Sequence, residues 1–378
     1  MRLRNTLKPI ALYALLLASV FFAGAGCALN IENPGHIAVT QAAYFPETLE
    51  VTALAFSPDG KQLAAANAVD RPIHVWSLAS GEIVRTLKKP GTADPTLFDQ
   101  LRYSPDGRFL ASIQGPPEVI AVWSAATGKL IKQITTNIGG GVGIAFTPDS
   151  RRLVAAFDRP PKQDYRGRKL DAYMLAVYDT ATWRRIATFN APRYFSPDEL
   201  ALSPNGRFVA VGGLRIVPQL LSRNPPMWKP VIAEVRILII DLARLKVVRT
   251  IIVRAEHYSI RALVWSPDSR YIAYSAAPIN KFKAFKAIKI WNAATGKLTA
   301  TEIAFEDISA IGYTPDGRYF LDGGFNINGI DGKIRIWDAA HRRLLWSAQE
   351  NTEALAVSRD SRLFAVGGPG YIRVWRLK

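Results

Sequence analysis

Few side chains in this sequence are spaced for covalent chemistry. The four histidines, His36, His74, His257 and His341, are far apart along the chain and form no cluster with metal-ligand spacing. Neither a serine nucleophile elbow nor a phosphate-cradling glycine loop occurs. His74 alternates into a strand-like run and reads as a packing residue; Gly139-Gly140-Gly141 reads as a flexible link. More distinctive are cations interleaved with aromatic residues. Arg159, Lys162, Arg166, Arg168 and Lys169 form one group, Arg215, Arg223, Trp228 and Lys229 a second, and Lys281, Phe282, Lys283, Phe285 and Lys286 a third. Such groups suit an acidic protein surface, an anionic polymer or a bilayer, and equally describe solvated loops with no partner.

The whole chain shares this bias. Lys and Arg number 48 against 31 Asp and Glu, a formal charge of +17, while 49% hydrophobic residues over 378 positions provide for a large core. Arg2, Arg4 and Lys8 precede an uncharged apolar stretch from Ile10 to Ala23, then Gly24, Ala25 and Gly26, and the only cysteine, Cys27. A stretch that short suits an export signal better than a membrane span. Removing residues 1–26 takes away three cations and no acid and leaves +14. Export also argues against nucleic acid as the anionic partner.

Those first residues resemble the signal of bacterial lipoproteins, in which the cysteine is lipidated and becomes the new N-terminus. Gly24 departs from the pattern, and ordinary cleavage after an alanine is the alternative. The resemblance implies 1–26 as signal peptide, 27–35 as a short linker after lipidated Cys27, and anchorage in the cell envelope. Ala28 after the cysteine resembles lipoproteins sent to the outer membrane, facing the periplasm.

Beyond residue 35 a tetrapeptide recurs seven times: Ser57-Pro58-Asp59-Gly60, Ser104-Pro105-Asp106-Gly107, Thr147-Pro148-Asp149-Ser150, Ser203-Pro204-Asn205-Gly206, Ser266-Pro267-Asp268-Ser269, Thr314-Pro315-Asp316-Gly317 and Ser358-Arg359-Asp360-Ser361. Proline presets one corner of a turn, Asp or Asn bonds its own backbone, and glycine accepts a positive φ, so each tetrapeptide predicts a hairpin. Apolar runs flank every copy, and a further run follows that often ends in Trp, as in Ile73-His74-Val75-Trp76 and Ile334-Arg335-Ile336-Trp337. Together with a fourth run, each repeat reads as a four-stranded sheet.

This pattern resembles the WD-repeat family, with Trp337-Asp338 at the signature dipeptide and Tyr178-Asp179 and Ile240-Asp241 keeping the acid. The resemblance implies an all-β, seven-bladed β-propeller over 36–378. The family's Gly-His pair is mostly missing, so its buried hydrogen-bond network is not expected here. The last repeat stops after its third strand, and the strand-like His36-Ile37-Ala38-Val39-Thr40 is expected to supply the fourth and close the ring. Closure of that kind would tether the turn end through residues 28–35, reaching at most about 28 Å, with the opposite end facing away from the bilayer.

Counting back from the end of each first strand places Thr52, Asp99, Val142, Asp198, Arg261, Ser309 and Glu353 around the mouth of the central channel. Asp99, Asp198, Arg261 and Glu353 are its charged members. They could dock a partner or merely solvate a wet channel. The resulting expectation is a non-enzymatic envelope scaffold without cofactor or metal, binding a protein or anionic polymer through the face that carries the three basic groups. The alternative is a propeller enzyme, lactonase-like or dependent on a quinone or metal, using the mouth carboxylates.

Overall fold

The structure, a computed structural model, describes residues 31–67, 72–88, 100–114, 118–136, 141–158, 174–192, 195–223, 226–253, 258–278, 286–304, 307–325 and 332–378. Among them there is no helix. The strands are β1 (Ile31–Glu32), β2 (Val39–Phe56), β3 (Gln62–Asn67), β4 (Ile73–Ser77), β5 (Ile83–Leu87), β6 (Gln100–Tyr103), β7 (Phe109–Gln114), β8 (Glu118–Ser124), β9 (Leu130–Thr136), β10 (Gly141–Phe146), β11 (Arg152–Phe157), β12 (Leu175–Asp179), β13 (Arg185–Phe189), β14 (Phe195–Leu202), β15 (Phe208–Arg223), β16 (Pro226–Asp241), β17 (Lys246–Val253), β18 (Tyr258–Trp265), β19 (Tyr271–Pro278), β20 (Lys286–Asn292), β21 (Leu298–Ala304), β22 (Asp307–Tyr313), β23 (Tyr319–Phe325), β24 (Lys333–Asp338), β25 (Leu344–Gln349), β26 (Ala354–Val357) and β27 (Leu363–Leu377).

Four sheets hold four sequential antiparallel strands each: β6 to β9, β10 to β13, β14 to β17 and β18 to β21. A fifth has the order β1-β25-β24-β23-β22. The sixth, β26-β27-β2-β3-β4-β5, pivots on β2, whose Val39–Pro46 half pairs with Tyr371–Leu377 of β27 while its Val51–Phe56 half pairs with β3. First strands touch in chain order, β2 with β6, β6 with β10, and so on to β22 with β26, and β26 meets β2.

The sheets stack face to face, which explains why their second strands lack polar alternation. In β11, Leu153, Ala155 and Phe157 join one buried cluster and Val154 and Ala156 the next, so both faces are dry. Small residues allow the sheets to approach: Ala64, Ala65 and Ala66 of β3 are all inaccessible to water. Outer strands face solvent on one side, and Ile83, Leu130 and Ile186 remain exposed there.

Each tetrapeptide builds the same turn. The Ser57 hydroxyl donates to Asp59 Oδ1 at 2.6 Å and accepts the Gln62 N–H at 2.9 Å, and Gly60 takes φ 68°. Where serine replaces glycine, at Ser150, Ser269 and Ser361, φ is still positive (59°, 60° and 62°). That costs a side-chain-bearing residue about 1 kcal/mol, and each serine offsets it across the sheet boundary. Its hydroxyl accepts the N–H of Asp106, Asn205 or Asp316 in the preceding turn at 3.0, 3.1 and 3.0 Å. Gly206 meets the ring of Pro148 in the alternate arrangement, and Arg359 Nη1 donates to Pro105 O at 3.0 Å. The turns crowd one another at this end of the sheets, the turn end.

Where the Gly-His network is missing, three carboxylates receive the tryptophans instead. Trp76 Nε1 donates to Glu47 Oε1 at 3.0 Å, Trp375 Nε1 to Glu350 Oε2 at 3.1 Å, and Trp337 Nε1 to Asp322 Oδ2. A basic residue two positions before each tryptophan, on the same strand face, meets the same acid: His74 at 3.1 Å, Arg373 at 3.5 Å and Arg335 at 2.5 Å. His74 is therefore a carboxylate partner rather than simply a packing residue.

Two expectations are corrected at the N-terminus. The strand expected from His36 begins at Val39, and His36 itself ends a turn at φ 52°. The 27–35 linker is not free over 31–35: Ile31 pairs with Ala348, Glu32 with Ser347, and the Gly35 N–H donates to Leu345 O at 2.9 Å. Antiparallel to β25, β1 runs toward the turn end, so the chain enters it from the opposite side. The tether at the turn end is not what residues 31–35 form, because an unpaired β25 edge offered them a ladder.

Candidate functional site

The first strands converge, at the end away from the turns, on a cavity of about 840 Å³. Five of them carry a β-bulge there. Register skips Thr52 between Val51 and Ala53, Val142 between Gly141 and Gly143, Asp198 between Pro197 and Glu199, Arg261 between Ile260 and Ala262, and Ser309 between Ile308 and Ala310. A bulge frees one residue from the ladder and re-aims its neighbours. All five skipped residues line the cavity, and Glu353, directly before β26, joins them. Asp99 lies outside the described residues.

Six carboxylates border this space, Glu50, Asp158, Asp198, Glu199, Asp307 and Glu353, against two guanidinium groups, Arg102 and Arg261. In a chain of +17 the cavity is thus acidic. Burial pushes Glu199 up to about 7, opposed by Arg102 and by the Gln100 amide, which donates to it at 2.8 Å. Gln100 also accepts the Ile144 N–H at 3.2 Å, so one side chain ties three first strands together. Burial holds the Arg102 guanidinium below its ordinary value. Asp198 is raised to about 6 by burial, although it accepts the Ile260 N–H at 3.1 Å, and Asp158 adds repulsion. Glu353 is raised to about 7 by burial and then by Glu50, while Arg261 works against both. Carboxyls poised this way can bind cationic or hydrogen-bond-donating groups and can exchange protons near neutrality. Among the described residues no three of His, Cys, Asp and Glu lie close enough to hold a metal ion.

Sequence counting found one position per strand and missed Glu50, Gln100, Arg102, Asp158, Glu199 and Asp307. Glu199 is the instructive case: strict alternation would send it away from Asp198, and the bulge brings both inward.

The basic groups fare differently. Arg159, Lys162, Arg166, Arg168, Lys169, Lys281, Phe282, Lys283 and Phe285, like Cys27, lie outside the described residues, and Lys286 opens β20 opposite Ala304. The middle group is no loop. Arg215 lies on β15, 3.7 Å from Glu234, and Arg223, Trp228 and Lys229 are paired strand residues. Because each first strand runs from the cavity to its turn and each second strand returns, the connections after β11, β15 and β19 all leave from the cavity end.

The family model described as "WD domain, G-beta repeat" matches residues 39–77 and 296–338. In both matches an outer strand, Val39–Pro46 of β2 or β21, comes first, and three strands of the next sheet follow. A solved structure, Kuenenia stuttgartiensis Hydrazine Synthase, resembles the chain with a TM-score of 0.67 at 16% identity, covering 88% of this chain and 97% of that one. Two stretches of the chain are WD-type repeats, and the fold is a β-propeller. Likeness at that identity concerns the fold alone. No curated protein matches the sequence. A WD-type repeat gives its first strand to one blade and three to the next, which accounts for the division of β2.

Proposed function

We propose that this chain is a non-enzymatic scaffold of the cell envelope: a seven-bladed propeller, closed by Val39–Pro46, tethered by a lipid on Cys27, that binds a protein or anionic polymer at its cavity end. Pairing of Val39–Pro46 with Tyr371–Leu377 supports closure, since it gives the last blade the fourth strand its own segment lacks. Counting that blade separately from β2–β5 gives seven. The observation that carries the binding reading is the set of five bulges, four of which release a polar residue, Thr52, Asp198, Arg261 or Ser309, to one shared cavity. A bulge weakens the ladder it interrupts, and five at one level favour a use for the side chains they release.

The cationic groups around Arg159 to Lys169 and Lys281 to Lys286 belong to connections that leave from the same end. An acidic cavity in a chain whose cationic groups leave from strands ending on that side suits a partner that is itself charged in both senses. In cells, a photo-crosslinking amino acid at Arg261 or Ser309 is expected to yield adducts that one at Lys61, in a turn, does not. Lys281→Glu with Lys283→Glu and Lys286→Glu should reduce those adducts without lowering the melting temperature. Equal adducts from both ends would overturn the assignment of the binding face. In the same cells a palmitate analogue should label the native chain and not Cys27→Ala; label retained on the variant would refute the tether.

A further inference from the structure

One sheet, β10 to β13, breaks the repeat with cations at its turn end. The residue after each tetrapeptide is basic in all seven copies, and the position after that is Gln62, Phe109, Phe208, Tyr271, Tyr319 or Leu363 in six of them. In the third copy it is Arg152, so Arg151-Arg152 stands where the others put one cation and then, mostly, a packing residue. The second turn of this sheet does the same. It is followed by Arg184-Arg185, where the other sheets have one charge and then Ile83, Leu130, Val247, Leu298 or Leu344. A local rule broken at both turns of one sheet points to a use other than packing. Backbone bonds hold the two doublets together: the Thr180 N–H donates to Arg151 O and the Asp179 N–H to Arg184 O, each at 3.0 Å, and Arg152 is the register partner of Asp179. All four arginines are exposed. The acids beside them are engaged by their own turns. Asp149 Oδ1 accepts the Thr147 hydroxyl at 2.5 Å and the Arg151 N–H at 3.0 Å, and Asp179 Oδ1 accepts the N–H and the hydroxyl of Thr182, both at 2.8 Å. Elsewhere at the turn end arginines have protein partners: Arg244 and Arg207 share Asp241 at 2.9 and 3.6 Å, Arg108 meets Asp106 at 2.6 Å, and Arg342 Nη1 donates to Thr299 O at 3.1 Å. Among the described residues no hydrogen bond or ion pair takes up the side chains of Arg151, Arg152 and Arg184.

We propose that this arginine edge binds a hydrated polyanion through its phosphate groups. A guanidinium is a planar fork that pairs with two oxygens of one oxyanion. A tetrahedral phosphate presents oxygens in more than one direction, so neighbouring arginines can share it. Several such forks close together on an open edge gain most from a chain that offers many anions, because each contact after the first is intramolecular. A polymer is favoured over a protein or a bilayer by the make-up of the edge. Protein interfaces centre on aromatic or aliphatic anchors, and elements that enter bilayers carry aromatic rings at the headgroup level. Beside these arginines Ile186 is exposed but Trp183 is buried. The edge lies at the opposite end from the cavity and functions whether or not a partner binds there.

Residues 31–378 form one compact unit holding every described strand, so a 28–378 chain keeps the whole described fold. Fluorescence anisotropy of labelled long-chain polyphosphate, with tripolyphosphate as competitor, tests the edge. The native chain is expected to bind the long chain, less tightly as salt rises, and tripolyphosphate to compete about tenfold more weakly. Arg151→Gln with Arg152→Gln and Arg184→Gln should weaken binding about tenfold and lower the salt slope by about two. Lys88→Gln with Lys297→Gln and Arg343→Gln removes the same charge from exposed positions elsewhere and should change binding less than about threefold. Equal losses in the two variants would assign the attraction to overall charge and overturn the proposal. So would a native chain that binds no polyphosphate, or tripolyphosphate competing as well as the long chain, which would mean a site for a single ion. Should the arginine variant melt early, Thr182→Cys, exposed between β12 and β13 in an otherwise cysteine-free chain, can carry an environment-sensitive dye. Dye emission unchanged by polyphosphate contradicts the proposal. A photo-crosslinking amino acid at Thr182 that traps a protein in cells, with polyphosphate binding intact in the arginine variant, reassigns the edge to a protein. Crosslinks from Arg261 test the cavity end separately.

Discussion

A carboxylate removed from water costs several kcal/mol unless a cation and hydrogen-bond donors receive it. Glu47, Asp322 and Glu350 each meet a tryptophan N–H and a basic group, yet burial still raises Glu350 to about 7. Glu199 and Glu353 are raised to the same range and Asp198 to about 6, while hydroxyl donors hold the turn residues Asp59 and Asp149 below their ordinary values. Between an ordinary value of 4.5 and about 7, the folded glutamates keep protons that unfolded chains release, so stability falls as pH climbs through that window. The turn aspartates act oppositely, stabilising above 3.8 and losing that contribution as pH drops through their lower folded values. Melting temperature should therefore be higher at about pH 5.5 than at about pH 8, fall again below about pH 4, and vary less over the upper range in Glu353→Gln. A melting temperature that rises steadily from pH 5.5 to 8 would contradict these environments. The tryptophan slots are legible in the repeat. Their acids are not, because Glu47 lies between the two paired halves of β2 and Glu350 lies ahead of β26, whereas Asp322 lies within the second strand of its sheet.

Among the elements, turns and bulges set the geometry. The tetrapeptides announce the turns, and the alternation of glycine and serine at their fourth position records which neighbour each one leans on. Ser361→Ala keeps the positive φ and removes the acceptor for the Asp316 N–H, and should cost about 1 kcal/mol. Ser361→Gly loses the same acceptor but relieves the backbone, so its urea midpoint should lie nearer to native; the reverse order would mean that the hydroxyl offsets no strain. Thr52, Val142, Asp198, Arg261 and Ser309 can be picked out by counting because their bulges recur at one level of the sheets. The length of the β15–β16 hairpin is illegible in the sequence for a local reason. Pro218, Pro225, Pro226 and Pro230 read as loop punctuation, and only a register that sets Pro218 opposite Pro230 makes two of them compatible with strands.

For the molecule as a whole, the charge balance and the pairing of Val39–Pro46 with β27 are the organising features. The chain as a whole is basic, whereas the cavity is lined by six carboxylates and two guanidinium groups. The four-strand rhythm is plain in the sequence. The entry of residues 31–35 along β25 is not, since two paired residues with Asn33-Pro34-Gly35 behind them carry no strand pattern. Ring closure rests on Val39–Pro46 lying along β27 within one molecule. Thr40 and Arg376 are register partners, both exposed, in a chain whose sole cysteine lies at position 27. Thiol counting on the 28–378 chain carrying Thr40→Cys and Arg376→Cys is the most direct test. The expected result is a monomer with no free thiols and a raised melting temperature; free thiols, or bonds formed only between molecules, would contradict the closed ring.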